Sequence, residues 1–153
     1  MAGVFENDKN IVAYGAAVGF YHNNNKESSK LIGRCIGSVL GQSYHNIEHI
    51  VVDGASDDNT GDVIASFVDD RLKYLKLDSN WSLEKTYKYG TSNAKGKYIC
   101  FLDSDDEYLP TKIEKQVELI DLSVLHYWYS SPFTTMPILT GMCSILPRAA
   151  LRI

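Results

Sequence analysis

Apolar and polar positions run along the 153 residues in short blocks whose period keeps changing. After a polar, frayed start at Met1–Asn10, Ile11–Tyr21 is small and apolar, with Val12, Val18 and Phe20, and predicts a first buried strand. From Ser28 to about Gln42 the apolar positions Leu31, Cys35, Ile36, Val39 and Leu40 share one face of a helix. Gly33, Gly37 and Gly41 weaken that helix and leave room for a close neighbour. Ile47–Val52 is a short apolar strand that ends at Asp53. A turn at Ser56–Thr60 opens a second helix with Val63, Ile64, Phe67 and Val68 inward. Leu72–Leu77 alternates and predicts a third strand. Ser82 suits the N-cap of a helix through Tyr87 to about Ala94, and Gly96 suits its stop. Tyr98–Leu102 is apolar throughout, as in a sheet covered on both faces. Pro110 opens a last helix with Ile113, Val117 and Ile120 at helical spacing. Strands alternating with helices imply right-handed crossovers and an α/β fold with a mainly parallel sheet.

Composition narrows the class of partner. Net charge is −4 and the basic residues do not cluster, so nucleic acid is excluded as a partner, since it needs a basic face. Cys35, Cys100 and Cys143 form no metal-ligand spacing; Cys35 and Cys100 lie in apolar patterns and read as reduced, buried residues of a cytoplasmic protein. The N-terminus lacks the basic-then-apolar profile of a signal peptide. Leu122–Pro147 contains no Asp, Glu, Lys or Arg. Pro132, Pro137 and Pro147 interrupt it, so it reads as a buried strand-and-loop segment rather than a membrane helix; the rival is a surface turned toward a membrane or a lipid substrate.

The chemistry concentrates in Tyr98–Asp106. A buried strand there runs into Asp103, Asp105 and Asp106, and carboxylates at that density repel unless something offsets them. A hard divalent cation such as Mn²⁺ or Mg²⁺ does so and can in turn hold a diphosphate. The competing reading is a polar turn capping the following helix. An EF-hand is excluded: Tyr108 stands where Gly is required, Pro110 lies inside the loop, and a strand precedes it. Asp53, also just after a strand, can accept a base N–H or cap the turn Gly54–Asp58, whereas Asp58 reads as structural. In a parallel sheet both acidic sites fall at the same, ligand-binding edge. Lys88 is a phosphate-ligand candidate or a solvated lysine of a helix face. His22, His45, His49 and His126 have no mutual ligand spacing. Tyr127, Trp128 and Tyr129 suit core packing better than sugar stacking.

Taken together, Ile36–Glu48 leading into Ile50–Thr60, followed by Ala94–Pro110, resembles the nucleotide-binding half of family-2 glycosyltransferases, from about Val18 to Ile120. The resemblance implies a Rossmann-like GT-A fold. It implies that Asp53 contacts the base of a nucleotide diphosphate sugar, commonly uracil, that Asp103 lies near the ribose, and that Asp105 holds Mn²⁺ or Mg²⁺. Lys88 matches a basic position before the family's helix Gly. The implied reaction is inverting transfer of a sugar, UDP-linked by preference, to a hydroxyl of a sugar, lipid-linked or protein acceptor, as in polysaccharide biosynthesis.

The chain also departs from the family. Gly19–His22 replaces the usual Pro-Thr-Tyr-Asn-like turn. Thr140–Leu151 resembles the acceptor half but arrives early; no Glu-Asp pair suited to the base role and no Gln-x-x-Arg-Trp motif follows the acidic motif, so no residue is assigned as the catalytic base. The expected organisation is a donor-binding part over residues 1–120 and a curtailed acceptor-side segment over residues 121–153, covered by a partner chain or a second copy and placed in the cytoplasm or at the periphery of a membrane. Two alternatives stand beside an active transferase. One is a catalytically silent nucleotide-binding module that needs a partner chain for the acceptor; the other is a remnant that serves interaction alone.

Overall fold

The computed structural model describes the backbone of residues 11–17, 28–121 and 145–147, and the side chains of residues 29–118. The described residues form, in order, β1 (Ile11–Ala17), α1 (Ser28–Leu40), β2 (Ile47–Asp53), α2 (Thr60–Ala65), β3 (Leu72–Lys76), α3 (Leu83–Ser92), β4 (Tyr98–Asp103), α4 (Lys112–Asp121) and β5 (Ile145–Pro147). The strands lie side by side as β3-β2-β1-β4-β5. β1 pairs in parallel with both β2 and β4, β2 pairs in parallel with β3, and β5 runs antiparallel to β4. The expected α/β fold with a mainly parallel sheet is therefore the one observed.

Connection order decides which helix covers which face. Right-handed crossovers from β1 through β2 to β3 place α1 and α2 on one side, and the return from β3 to β4 places α3 on the other. Side chains respond with strict alternation, because successive residues of a strand point to opposite faces. Ile47 and Val51 of β2, with Tyr98, Cys100 and Leu102 of β4, pack against Ile32, Cys35, Ile36 and Val39 of α1, Ile64 of α2 and Ile113 and Val117 of α4. Ile50, Val52 and Ile99 face the opposite way and pack with Leu77 and Ala94, and with half-buried Leu75, Trp81, Tyr87 and Phe101. Tyr87 of α3 meets Phe101 edge to face at 5.2 Å between centroids. β2 and β4 are nearly continuously buried, whereas β3, at the sheet edge, is only half-buried.

The local signals were realised with some corrections. Ser82 is the N-cap of α3, its Oγ accepting the Lys85 N–H. That helix stops at Ser92, with Asn93 as its C-cap, so Gly96 does not end it. Val68 is fully exposed rather than inward, because α2 ends at Ala65 and the chain has left the helix by then. Of the α1 glycines, Gly33 is the one with a neighbouring helix at close range: a Cβ there would lie 3.3 Å from Val63 Cγ1, while Gly37 has open space. Ala55 has φ 68°, in the left-handed region that costs an L-residue about 1–2 kcal/mol.

His22, His126, Tyr127, Trp128, Tyr129 and Cys143 lie outside the described residues, as does most of Leu122–Pro147 apart from β5. Among the described residues no helix is long and apolar enough to cross a membrane.

Candidate functional site

The sheet brings the two acidic sites to one edge. Ala17 of β1 is in register with Asp53 of β2, and Ala16 of β1 with Asp103 of β4. Asp53 and Asp103 thus end two strands that flank β1 on either side, about 10 Å apart across two strand spacings. The strand order reverses between β1 and β4, which makes this edge the switch point where open α/β sheets form a crevice for ligands.

Asp53 is fully buried, and both of its carboxylate oxygens are engaged. Oδ1 accepts the Ser56 N–H at 2.8 Å, closing the turn after β2. Oδ2 accepts the Tyr74 hydroxyl at 2.6 Å from the neighbouring strand. Burial pushes the Tyr74 phenol above its ordinary range, and the hydrogen bond to Asp53 and the Asp53 charge add to this, so Tyr74 stays a donor at neutral pH. The turn-capping reading of Asp53 is therefore realised; a carboxylate still has lone pairs beyond these two bonds. Asp58 is structural as expected, its Oδ1 accepting the Thr60 N–H at 3.0 Å.

Asp103 is exposed at the end of β4, and Asp105 and Asp106 are exposed on the loop between β4 and α4. The Asp106 N–H donates to the Asp103 carbonyl at 3.1 Å, so the acidic run is a tight turn. The helix after it starts at Lys112, beyond the reach of these aspartates as caps. The loop rests on α1: Cys35 Sγ lies 3.5 Å from the Asp103 carbonyl, Ser38 Oγ accepts the Tyr108 N–H at 3.0 Å, and Arg34 pairs with Glu107. Burial, then the charges of Asp106, Asp105, Asp103 and Glu107, push the Cys35 thiol up to about 12, so it is a neutral packing group here.

Among the described residues no three His, Cys, Asp or Glu side chains converge into a preformed metal site. The donor set nevertheless fits a hard cation: exposed carboxylates supply one or two ligands, and a Mg²⁺-like ion takes the rest from water and substrate phosphates. Lys88 lies on the exposed side of α3 and pairs with Glu84 at 2.9 Å. No hydrogen bond or ion pair joins it to Asp53, Asp103 or Asp105, so the structure does not gather it with them. A cavity of about 470 Å³, lined by Ser29, Lys30, Gly33, Asn59 and Val63, opens beside the starts of α1 and α2.

Reading by pattern missed the residues that hold the site rather than form it. Tyr74 counts as an apolar strand position until its hydroxyl is seen on Asp53. Ser38 sits in a glycine-rich helix and Gln42 just past its end, where no local signal marks a polar residue as buried; Gln42 is 1 % exposed.

The sequence matches the family described as Glycosyl transferase family 2 over residues 20–134. An Escherichia coli relative, UDP-Glc:alpha-D-GlcNAc-diphosphoundecaprenol beta-1,3-glucosyltransferase WfaP, is 34% identical over 113 residues, covering 73% of this chain and 45% of that protein. The chain thus spans less than half the length of that relative. Among solved structures, S. aureus TarS 1-349 in complex with UDP-GlcNAc has TM-score 0.63 at 22% identity, covering 73% of this chain and 31% of that one. The mannosyltransferase PcManGT from Pyrobaculum calidifontis, in complex with GDP-Man and Mn2+, has TM-score 0.61 at 16% identity, covering 80% and 33%. At these identities the likeness to solved structures concerns the fold, which is the GT-A fold expected.

Proposed function

The chain belongs to glycosyl transferase family 2, and from that premise we propose that it binds the donor of a metal-dependent, inverting sugar transfer, a UDP-sugar by preference. The observation that carries the reading is the register that sets Asp53 and Asp103 on either side of β1 at the switch point of the sheet. In this reading Asp53 accepts a base N–H through a lone pair left by Ser56 and Tyr74. Asp103 accepts from a ribose hydroxyl. Asp105 holds Mn²⁺ or Mg²⁺, and Lys88 offers a point charge toward phosphate once released from Glu84. A bound ion would offset the charge that builds on the departing diphosphate. The uridine nucleotides in the names of WfaP and the TarS complex support UDP, and the Mn2+ of the PcManGT complex supports a divalent ion.

Residues 1–120 serve the donor and residues 121–153 belong to the acceptor side, where a sugar or lipid-linked hydroxyl is taken up. The protein works in the cytoplasm, at the periphery of a membrane when the acceptor is lipid-linked.

Calorimetric titration of UDP with and without Mn²⁺, on the chain and on Asp105→Ala, tests the reading. Metal-dependent binding that disappears in Asp105→Ala is the expected result. Binding of equal strength in both, or none in a folded chain, overturns the donor assignment.

A further inference from the structure

We propose that Gln42 is a positioning residue that fixes the loop carrying Asp103 and Asp105, a proposal that rests on the donor-site reading above. The loop from Ser104 to Thr111 has no regular structure of its own and, with Asp103 at the end of β4 before it, sets Asp103, Asp105, Asp106 and Glu107 within five residues. Left to itself such a run spreads, because its charges repel. Burial anchors it at Tyr108 but not at Leu109, which is 76% exposed.

Gln42 does hold it, from just past the C-terminal end of α1. Its Nε2 donates to the Leu109 carbonyl at 2.7 Å and to the Ser38 carbonyl at 3.0 Å. Its Oε1 accepts the Ile113 N–H at 3.0 Å. Ile113 is the second residue of α4, so its N–H has no partner within the helix. One buried amide therefore closes the loop's exit and caps the next helix at once. The orientation of the amide is fixed by its partners, since a carbonyl needs the donor and an N–H the acceptor. Tyr108 completes the clamp: it is buried, its N–H goes to Ser38 Oγ, and its hydroxyl donates to the Phe101 carbonyl at 2.8 Å. Ser43 adds its N–H to the Pro110 carbonyl at 2.9 Å.

These ties reach the loop from α1 and its C-terminal turn, and the carboxylates of Asp105 and Asp106 have no partner among the described residues. The geometry is that of a loop held from behind with its acidic side presented. A glutamine is required because the position needs a donor and an acceptor together. Glu would set an acceptor against the Leu109 carbonyl, and Met would offer neither.

The test uses Gln42→Met, Gln42→Glu and Ser38→Ala, with Val39→Ala as a control that thins the core of α1 and leaves every hydrogen bond to the loop in place. Amide hydrogen exchange is read at Tyr108 and Ile113 against the β4 amides. UDP affinity is read with and without Mn²⁺ at matched fraction folded. In Gln42→Met the Ile113 amide should exchange faster relative to β4, and the gain in UDP affinity from Mn²⁺ should shrink by about tenfold, the loss expected for one buried hydrogen-bonded clamp. Gln42→Glu, which sets a buried acceptor against the Leu109 and Ser38 carbonyls, should lose at least as much. Ser38→Ala should free the Tyr108 amide in the same way, and Val39→Ala should preserve the Mn²⁺ gain. Unchanged exchange at Ile113, or an equal loss in Val39→Ala, overturns the positioning role. A parent chain whose UDP binding ignores Mn²⁺ overturns the donor reading and this role with it, and is told apart because the failure then appears without any substitution.

Discussion

Tyr74 Oη donates to Asp53 Oδ2 at 2.6 Å, tying the middle of β3 to the end of β2. Tyr74 is in register with Val51, so the bond runs diagonally to the next residue on the same face. Tyr74→Phe should leave a buried carboxylate oxygen without its donor and cost about 1–3 kcal/mol, read by urea unfolding. If Asp53 meets the base, UDP should also bind more weakly in Tyr74→Phe while pyrophosphate with Mn²⁺ binds as before. Asp53→Ala should show the same asymmetry more strongly. Equal losses for the two ligands would remove Asp53 from base recognition.

The fold was legible because strand and helix periods alternate cleanly. Ile50, Val51 and Val52, and Ile99 to Leu102, are continuous apolar runs because both of their faces are covered. Their C-terminal aspartates were legible for the same reason, since a carboxylate that ends a buried strand stands out. The state of Asp53 was not legible, because its second partner comes from a different strand, 21 positions along the chain. Gln42 was hidden in the same way: it meets Leu109 and Ile113 across separations of 67 and 71 positions. Val68 misled because helical spacing continues past Ala65 in the sequence while the helix itself does not.

The glycines of α1 separate propensity from packing. Gly37 has nothing among the described residues within 4 Å of where a Cβ would lie, so Gly37→Ala should stabilise the chain by about 0.5–1 kcal/mol through helix propensity alone. Gly33→Ala places its methyl 3.3 Å from Val63 Cγ1, and the push on α2 should cancel most of that gain. Urea midpoints with unchanged m-values check both. A larger gain at Gly33 than at Gly37 would show that α1 and α2 are not in close contact there.

His49 gives the chain a pH dependence with a definite sign. It is fully buried in β2, neither ring nitrogen has a hydrogen-bond partner among the described residues, and burial followed by the Arg71 charge lowers its pKa to about 3, with Asp69 opposing. Below the ordinary histidine value of 6.5 the unfolded chain takes up a proton that the native state refuses. Stability supplied by the neutral ring is therefore whole above about pH 6.5 and declines as pH falls toward about 3. Between pH 7 and pH 5 the decline from this one residue should be about 2 kcal/mol. His49→Leu should be less sensitive by that amount over the same interval, whatever its absolute stability. Parallel urea titrations at the two pH values decide it, and an identical decline in both proteins would mean that His49 gains its proton without unfolding.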